Sequence, residues 1–256
     1  MAHAQIKNLM VEMKFYGMMS SLDKILSEAT REGWGHMEFL DALLQAQYDF
    51  KENKKIENRI KASKLRMKPE LEDFDFTAKR TIIKTQIKNL YNLKWINEGR
   101  AVLLIGPTGV GKTFIAQALG LHACRSKYSV TFMTVTNFLE NIMLARSSNT
   151  YLKFRDKLVK PDLFILDDFG LRKFNSVESQ DLCELLEERS MNKSTIITTQ
   201  LPVDHWSEVI SDPIIADAII DRLIHSAITL NITGESYRKV KAKKLTDNFK
   251  ELRSDS

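Results

Sequence analysis

The sequence predicts an α/β protein in which a five-stranded parallel sheet, covered by helices on both faces, follows a small all-helical domain. From about residue 100 onward, short apolar runs alternate with segments of helical periodicity, the pattern of parallel strands joined by crossover helices. Before residue 69, apolar residues recur at the 3.6-residue spacing of amphipathic helices. We therefore predict a helical module over residues 1–69 and the α/β domain over residues 70–256.

The helical module is predicted to contain helices over residues 5–13, 22–29 and 37–68. We interpret Gly17 and the segment 32–35 (EGWG) as the breaks between them. Pro69 is expected to end the third helix, because a proline disfavours helical backbone in the residue before it. The segment Leu71 to Phe76 (LEDFDF) is then the linker into the α/β domain.

Strands and helices alternate through the α/β domain. Strands are predicted over residues 101–105, 130–135, 163–167, 195–199 and 227–232. Helices are predicted over residues 82–95, 113–125, 137–146, 151–158, 177–190 and 213–224. Because ligands of a parallel sheet bind off the carboxyl ends of its strands, the polar residues that follow these strands are the first candidates for a functional site.

The first strand enters a glycine-bearing loop, GPTGVGKT, that fits the phosphate-binding pattern G-x-x-x-x-G-K-[ST] at every fixed position. Gly106 and Gly111 let the backbone curl so that its N–H groups point at phosphates. Lys112 is expected to contact the β- and γ-phosphates, and the Thr113 hydroxyl to bind Mg²⁺. The predicted nucleotide-binding residues are Gly106, Pro107, Thr108, Gly109, Val110, Gly111, Lys112 and Thr113.

A second candidate element is LFILDDFG, in which an apolar strand delivers two carboxylates to its end. This is typical of a Walker B element, so Asp167 is expected to hold Mg²⁺ beside Thr113. Asp168 is then the candidate catalytic carboxylate that orients or deprotonates the attacking water. A helix N-cap or turn carboxylate is the alternative interpretation of Asp168.

The segment around Asp168 also matches short motifs of protein kinases and of small GTPases, but the rest of the sequence supports neither class. Asp168 to Gly170 spells the kinase DFG, but no HRD catalytic loop or β3-type lysine accompanies it. The D-x-x-G of small GTPases also fits, yet Thr195 stands where guanine recognition by an NKxD sequence needs Asp. ATP is therefore the predicted nucleotide. Phe74 and Phe76 could flank its adenine, and anchoring a domain edge is an equal alternative.

Two further residues are candidates for the same site. Gln200 ends the strand TIITTQ and could hold the γ-phosphate or the attacking water, although a capping role at the strand end stays open. Arg222 lies near the end of the last predicted helix. A surface ion pair is the common role of such an arginine, but an arginine finger for a neighbouring subunit is also delivered from there.

The chain has a net charge of +5 and a pI near 9.0, and its excess positive charge is concentrated in two segments. Residues 51–68 hold eight Lys or Arg against two Glu, a net +6. Polyanions are the natural partners of such a run, and a solvated helix face is the alternative. The candidate DNA-binding residues are Lys54, Lys55, Arg59, Lys61, Lys64, Arg66 and Lys68. A second cluster follows near the C-terminus at Arg238, Lys239, Lys241, Lys243 and Lys244.

Composition also excludes several classes of protein. The chain has no window of eighteen apolar residues and no apolar run of a secretory signal at its start, so we expect a cytoplasmic protein without membrane partners. Cys124 and Cys183 are its only cysteines, and neither belongs to a CxxC or a Cys/His cluster. Neither a disulfide framework nor a zinc site is predicted.

Seven motifs in this order resemble the IstB-like ATP-binding proteins, the helper ATPases of a class of bacterial insertion sequences. These are similar in turn to bacterial helicase loaders, and both groups belong to the AAA+ ATPases. The resemblance covers nearly the whole chain through FLDALLQAQ (39–47), LEDFDF (71–76), GPTGVGKT (106–113), LDDFG (166–170), TTQ (198–200), DRLIHSA (221–227) and GESYRK (234–239). The loop alone is common to many proteins, whereas LEDFDF, DRLIH and GESYR together are specific.

The resemblance implies an Mg²⁺-dependent ATPase that multimerises on double-stranded DNA and helps the transposase of the same element to select a target. It places Gln200 at the sensor I position, Arg222 at the arginine-finger position and Arg238 at the position of a second sensor that contacts the nucleotide. Asp168 stands where many relatives have Glu, and Gln200 where many have Asn. The lid domain of many AAA+ proteins is expected to be absent or minimal.

Two other functions fit the same residues. A replicative helicase loader would use nearly the same ATPase core. An ATP-gated DNA-binding scaffold with negligible turnover would need the nucleotide site but no catalytic carboxylate.

Overall fold

The structure, a computed structural model, describes residues 2–74, 84–224 and 227–237. The chain divides into two compact units between Asn58 and Arg59, which is earlier than the division after residue 69 that the sequence suggests. None of the helices within the described ranges is long and apolar enough to cross a membrane.

The first unit consists of helices α1 (Ala2–Glu12) and α2 (Tyr16–Glu32) and most of α3 (His36–Ser63). The prediction that Gly17 breaks a helix is wrong, because Gly17 lies inside α2 and the turn falls at Lys14, whose φ is 59°. A Cβ on Gly17 would lie 2.6 Å from the Ala46 carbonyl oxygen, so glycine permits close packing of α2 on α3. The break predicted at EGWG is confirmed, with Gly33 capping α2 at a φ of 68°.

Helix α3 ends at Ser63, and the prediction that it continues to Lys68 is wrong. Lys64 takes a left-handed backbone with a φ of 58°, which α-helical hydrogen bonding does not tolerate. The chain then leaves the helix, and the Met67 N–H donates to Oε1 of the buried Gln117 at 2.8 Å. A 3-10 turn follows at Leu71–Asp73.

The helix predicted over residues 82–95 is two helices, α4 (Lys84–Tyr91) and α5 (Lys94–Asn97), and residues 82–83 lie outside the described part. Leu93 separates the helices with a left-handed φ of 57°. The Asn92 side chain accepts a hydrogen bond from the Lys94 N–H at 2.9 Å, which stabilises the turn.

The five predicted strands are confirmed and form one parallel sheet. They are β1 (Val102–Ile105), β2 (Val130–Thr134), β3 (Leu163–Phe169), β4 (Ser194–Thr199) and β5 (Ile228–Asn231), in the order β2-β3-β4-β1-β5. The helices between them are α6 (Lys112–Arg125), α7 (Val135–Ser147), α8 (Tyr151–Val159), α9 (Ser176–Ser190) and α10 (Pro213–Ile224).

Hydrophobic cores cover both faces of the sheet. On β1, Val102 and Leu104 pack in the core that contains α6, whereas Leu103 packs in the core that contains α9 and α10. Strands buried on both faces are mostly apolar, which explains why the sequence reveals them as nearly continuous apolar runs. The carboxyl ends of β1, β3 and β4, neighbours in the sheet, form the edge where the predicted polar residues meet.

Candidate nucleotide-binding site

The loop between β1 and α6 begins at Gly106, which lies against the end of β4 and the residue that follows β5. The Gly106 N–H donates to the Thr199 carbonyl at 3.1 Å, at the end of β4. Gly106 has a φ of 155°, and a Cβ there would lie 2.0 Å from the Ile232 carbonyl oxygen, so no other residue fits. Gly111 has a φ of 107° and caps α6, which leaves the N-terminus of this helix facing the loop.

Lys112 lies inside the curl of this loop. Its Nζ donates to the carbonyl oxygens of Gly106 at 2.7 Å and Pro107 at 2.9 Å, and the residue is 6% exposed. The side chain of Val110 is fully buried in the hydrophobic core, so only its backbone is available to a nucleotide. The ammonium group is therefore held where the loop would wrap a phosphate.

Asp167 meets the phosphate-binding loop as predicted. Its Oδ1 accepts a hydrogen bond from the Thr113 hydroxyl at 2.9 Å, and the residue is 2% exposed. Burial raises the pKa of Asp167, as does the charge of Asp168, while hydrogen bonds from Thr198 and Thr113 and the charge of Arg66 lower it. A hydroxyl and a carboxylate oxygen in contact are ligands that Mg²⁺ prefers, so the residues fit this ion.

Asp168 has a left-handed backbone with a φ of 62°, at a register shift between β3 and β4. Its N–H donates to the Thr198 hydroxyl at 2.9 Å, and its side chain lines the cavity described below. Asp168 caps no helix among the described residues, because α9 begins after Asn175 and the Asn175 side chain accepts from the Glu178 N–H at 2.9 Å, whereas the turn-carboxylate alternative stays open. Asp is one of the few residues with a side chain that adopt this backbone readily.

Gln200 follows β4, which lies between the loop strand β1 and the acidic strand β3. The residue is exposed and lines the same cavity as Asp168. The preceding Thr199 is buried, and its hydroxyl donates to the Phe169 carbonyl at 2.8 Å. Gln200 is therefore free to face a ligand while Thr199 ties its strand to β3.

A cavity of about 260 Å³ joins these groups to an apolar wall. Its lining residues are Met67, Asp73, Phe74, Thr108, Gly109, Gly111, Lys112, Thr113, Phe114, Asp168, Gln200 and Tyr237. The rings of Phe74 and Phe114 pack with their centroids 5.7 Å apart. The cavity therefore has a polar end at the loop and an aromatic wall suited to a nucleobase.

Four lining residues were not predicted from the sequence. Phe114 directly follows Thr113 at the start of α6, and this position is a signal that could have identified it. Met67 lies in a segment predicted as helix, so its approach to the cavity was hidden. Tyr237 reaches the loop by donating its N–H to the Gly109 carbonyl at 3.0 Å, and Asp73 belongs to the 3-10 turn before Phe74.

Arg222 does not line this cavity. Its Nη2 pairs with Glu187 Oε1 at 3.1 Å, its Nη1 donates to the Ala218 carbonyl at 3.0 Å, and its side chain is 29% exposed. The arginine therefore joins α10 to α9 within the chain. Arg238, the second basic cluster and Phe76 lie outside the described residues.

The basic run divides into exposed lysines and two arginines with contacts. Arg59 is half-buried, and its Nη1 donates to the Cys124 carbonyl at 3.2 Å. The guanidinium of Arg66 lies 5.9 Å from the Phe132 ring centroid, and its charge also acts on Asp167. All the lysines of the run are exposed: Lys51, Lys54, Lys55, Lys61, Lys64 and Lys68.

A phosphate-binding loop follows β1, and an acidic pair lies at the end of β3. Strand β4 lies between these two strands. This arrangement defines a P-loop nucleotide-binding protein of the AAA+ class. The chain belongs to the family described as IstB-like ATP binding protein, which matches residues 8–245. This confirms the resemblance inferred from the motifs.

Relatives and solved structures agree with this assignment. The chain is 36% identical to an insertion sequence ATP-binding protein of Sinorhizobium fredii, over 95% of this chain and 99% of that protein. It is 32% identical to the insertion sequence IS21 ATP-binding protein of Pseudomonas aeruginosa, over 98% of this chain and 96% of that protein. The fold is similar to that of DnaI, with a TM-score of 0.55 and 20% identity over 66% of this chain and 92% of DnaI. The fold is also similar to that of the DnaC helicase loader, with a TM-score of 0.52 and 20% identity over 58% of this chain and 87% of DnaC.

Proposed function

We propose that this chain is an ATPase that binds double-stranded DNA, multimerises on it and helps the transposase of its insertion sequence to select a target. The observation that carries the proposal is the cavity that gathers Lys112, Thr113, Asp168 and Gln200 in a member of this family. The similar proteins of Sinorhizobium fredii and Pseudomonas aeruginosa are described as insertion sequence ATP-binding proteins. We place the activity in the cytoplasm, where ATP and the element's DNA are found.

Binding of ATP follows from the two ends of the cavity. The loop N–H groups and the Lys112 ammonium neutralise the phosphates, and the wall formed by Phe74 and Phe114 packs on the base. Thr113 and Asp167 would hold Mg²⁺, which withdraws charge from the phosphate oxygens when bound. Thr113 thus serves both the loop and the metal.

Hydrolysis needs a base and a group that holds the reacting phosphate. Asp168 lines the cavity beside the loop, and its carboxylate can accept a proton from a water molecule there. Gln200 can donate its side-chain amide to a phosphate oxygen or orient that water. Asp168 lies near the end of β3 and Gln200 directly follows the neighbouring strand β4, so they act on the same part of the nucleotide.

Replacing Asp168 with asparagine separates binding from hydrolysis. The change keeps the shape of the side chain and removes its basicity, so turnover should fall by about 10²- to 10⁴-fold. Asp167 is unchanged, so binding of a fluorescent ATP analogue should stay close to wild type. Asp156→Asn removes an exposed carboxylate on α8, paired with Lys160 at 3.3 Å, and should not affect turnover. Normal hydrolysis by Asp168→Asn would mean that Asp168 is not the catalytic carboxylate.

Charge reversal in the basic run tests DNA binding. Changing the exposed Lys61, Lys64 and Lys68 to glutamate should weaken binding on all duplex sequences equally, because phosphate contacts carry no sequence information. For each DNA phosphate that the variant no longer neutralises, the slope of log K against log salt should flatten by about 0.9.

The matched control reverses three exposed lysines, Lys153 and Lys157 on α8 and Lys160 directly after it, and changes the net charge equally. Equal slopes in the two triple variants would assign residues 61–68 to a solvated surface.

The partner is tested by reconstitution with the neighbouring gene products. ATP, duplex DNA and the transposase of the same element should form a complex with this chain, and strand transfer should rise when the chain and ATP are both added. If the transposase is indifferent while the chain places a replicative helicase on single-stranded DNA, the helicase-loader function is correct instead.

A further inference from the structure

One buried hydroxyl joins both members of the acidic pair. Thr198 lies on β4 and is 0% exposed. Its Oγ1 donates to Asp167 Oδ1 at 2.5 Å and accepts from the Asp168 N–H at 2.9 Å. The same hydroxyl therefore contacts the side chain of one aspartate and the backbone of the next.

The chemistry of these groups fixes the direction of both hydrogen bonds. A backbone N–H can only donate, so the Thr198 oxygen must accept from Asp168. The single proton of the hydroxyl is then available for the carboxylate of Asp167, which accepts it. Without the hydroxyl, the buried carboxylate of Asp167 and the N–H of the half-buried Asp168 would each be deprived of this partner.

The backbone of Asp168 needs such a contact. The regular pairing of β3 with β4 is interrupted between Leu166 and Phe169, and Asp168 takes a φ of 62° within this interruption. Its N–H is bound by a side chain where regular strand pairing would supply a carbonyl oxygen. The left-handed turn is also where the Asp168 side chain enters the lining of the cavity.

Asp167 receives a second hydroxyl at the same oxygen, because Thr113 also donates to Oδ1 at 2.9 Å. Thr113 lies on the first turn of α6, where the loop ends, and would be drawn to a bound Mg²⁺, whereas Thr198 belongs to the interior of the sheet. Thr198 would then continue to hold the carboxylate when Thr113 turns to the ion.

We propose that Thr198 is a positioning residue that sets the Asp167 side chain for the metal and the Asp168 backbone for catalysis through one hydroxyl. The inference rests on the proposed hydrolysis of ATP at this cavity. Thr198 does not line the cavity, so it acts through the two aspartates and has no contact with the nucleotide of its own.

Thr198→Val tests this role, because valine keeps the branched shape and lacks the hydroxyl. Turnover should fall by about 10²-fold, the usual cost of a misplaced reacting group, with a small change in the binding of a nonhydrolysable ATP analogue. The Mg²⁺ concentration that half-saturates this binding should rise about tenfold or more. Thr198→Ser keeps the hydroxyl and should restore most of both.

Thr195→Val is the matched control on the same strand. Thr195 is buried and its hydroxyl accepts from Arg189 Nε at 3.0 Å, at the far end of β4 from the acidic pair. If Thr195→Val loses turnover and Mg²⁺ affinity as Thr198→Val does, Thr198 is only a structural residue and the proposal is wrong.

Hydrogen exchange supplies a measurement that does not depend on activity. In the wild-type chain the Asp168 amide should exchange at least about tenfold more slowly than the amide of Leu171, an exposed residue on the following turn, and Thr198→Val should abolish this protection. Fast exchange of the wild-type Asp168 amide would overturn the proposal even if Thr198→Val fails to fold. If the wild type hydrolyses no ATP, the proposed function fails, while exchange and the Mg²⁺ titration still decide the role of Thr198.

Discussion

Lys112→Ala is expected to lower the affinity for ATP by about 10- to 100-fold and to abolish measurable turnover. The variant removes a charged donor that the loop holds ready for the phosphates, and a hydrogen bond to a charged group contributes about 1.5–3 kcal/mol. Titration with a fluorescent ATP analogue and a phosphate-release assay measure the two effects.

The same lysine also stabilises the empty loop, since its Nζ bonds two loop carbonyls. Lys112→Met separates the packing of the buried stem from the ammonium group, because it keeps most of the stem and loses the charge together with both hydrogen bonds. Both variants should lose affinity for ATP to the same extent. The methionine variant should have an unfolding temperature closer to that of the wild type. Turnover at the wild-type rate in either variant would contradict an ATPase site at this loop.

Arg222→Ala is expected to lower turnover by about 10³-fold or more and to leave ATP binding by the isolated chain nearly unchanged. Arg222 is absent from the lining of the cavity, so it would reach only a phosphate bound by a neighbouring subunit. A guanidinium that leaves Glu187 for such a phosphate would stabilise charge in the transition state.

Glu187→Gln is the control for this interpretation. It removes the same ion pair within the chain but keeps the guanidinium, and exposed ion pairs contribute about 0–1 kcal/mol to stability. Turnover should therefore survive in Glu187→Gln. If it is lost as in Arg222→Ala, the arginine matters as a link between α9 and α10.

Mixing two inactive variants locates the site between subunits. Arg222→Ala and Lys112→Ala chains that assemble together contain interfaces with an intact arginine opposite an intact loop. Partial return of activity supports the intersubunit role, whereas a mixture that assembles and stays inactive assigns Arg222 to its own chain.

Most of the sheet could be predicted because its signals are local. Strands buried on both faces, such as Leu163–Phe169, are nearly continuous apolar runs, and the helices between them have their own periodicity. The loop from Gly106 to Thr113 and the acidic pair at the end of β3 are also local patterns. Their meeting follows from the parallel order of the strands, so their contact was predictable as well.

The features that could not be predicted depend on contacts between distant residues. Lys64 and Leu93 adopt left-handed backbones that no local pattern requires, and each ends a helix that the periodicity would continue. Gly17 looks like a helix break in sequence, but its role is close packing against Ala46. In the sequence, Thr198 is one more polar residue of a strand. Only the hydrogen bonds at the register shift of β3 show that its hydroxyl contacts both aspartates.

Phosphate release by the wild-type chain tests the central claim most directly. With ATP and Mg²⁺, in the presence and absence of duplex DNA, the chain should hydrolyse ATP in a reaction that stops when Mg²⁺ is chelated. ATP that binds but is not hydrolysed under either condition would contradict a catalytic role for Asp168 and would identify the chain as an ATP-gated DNA-binding scaffold.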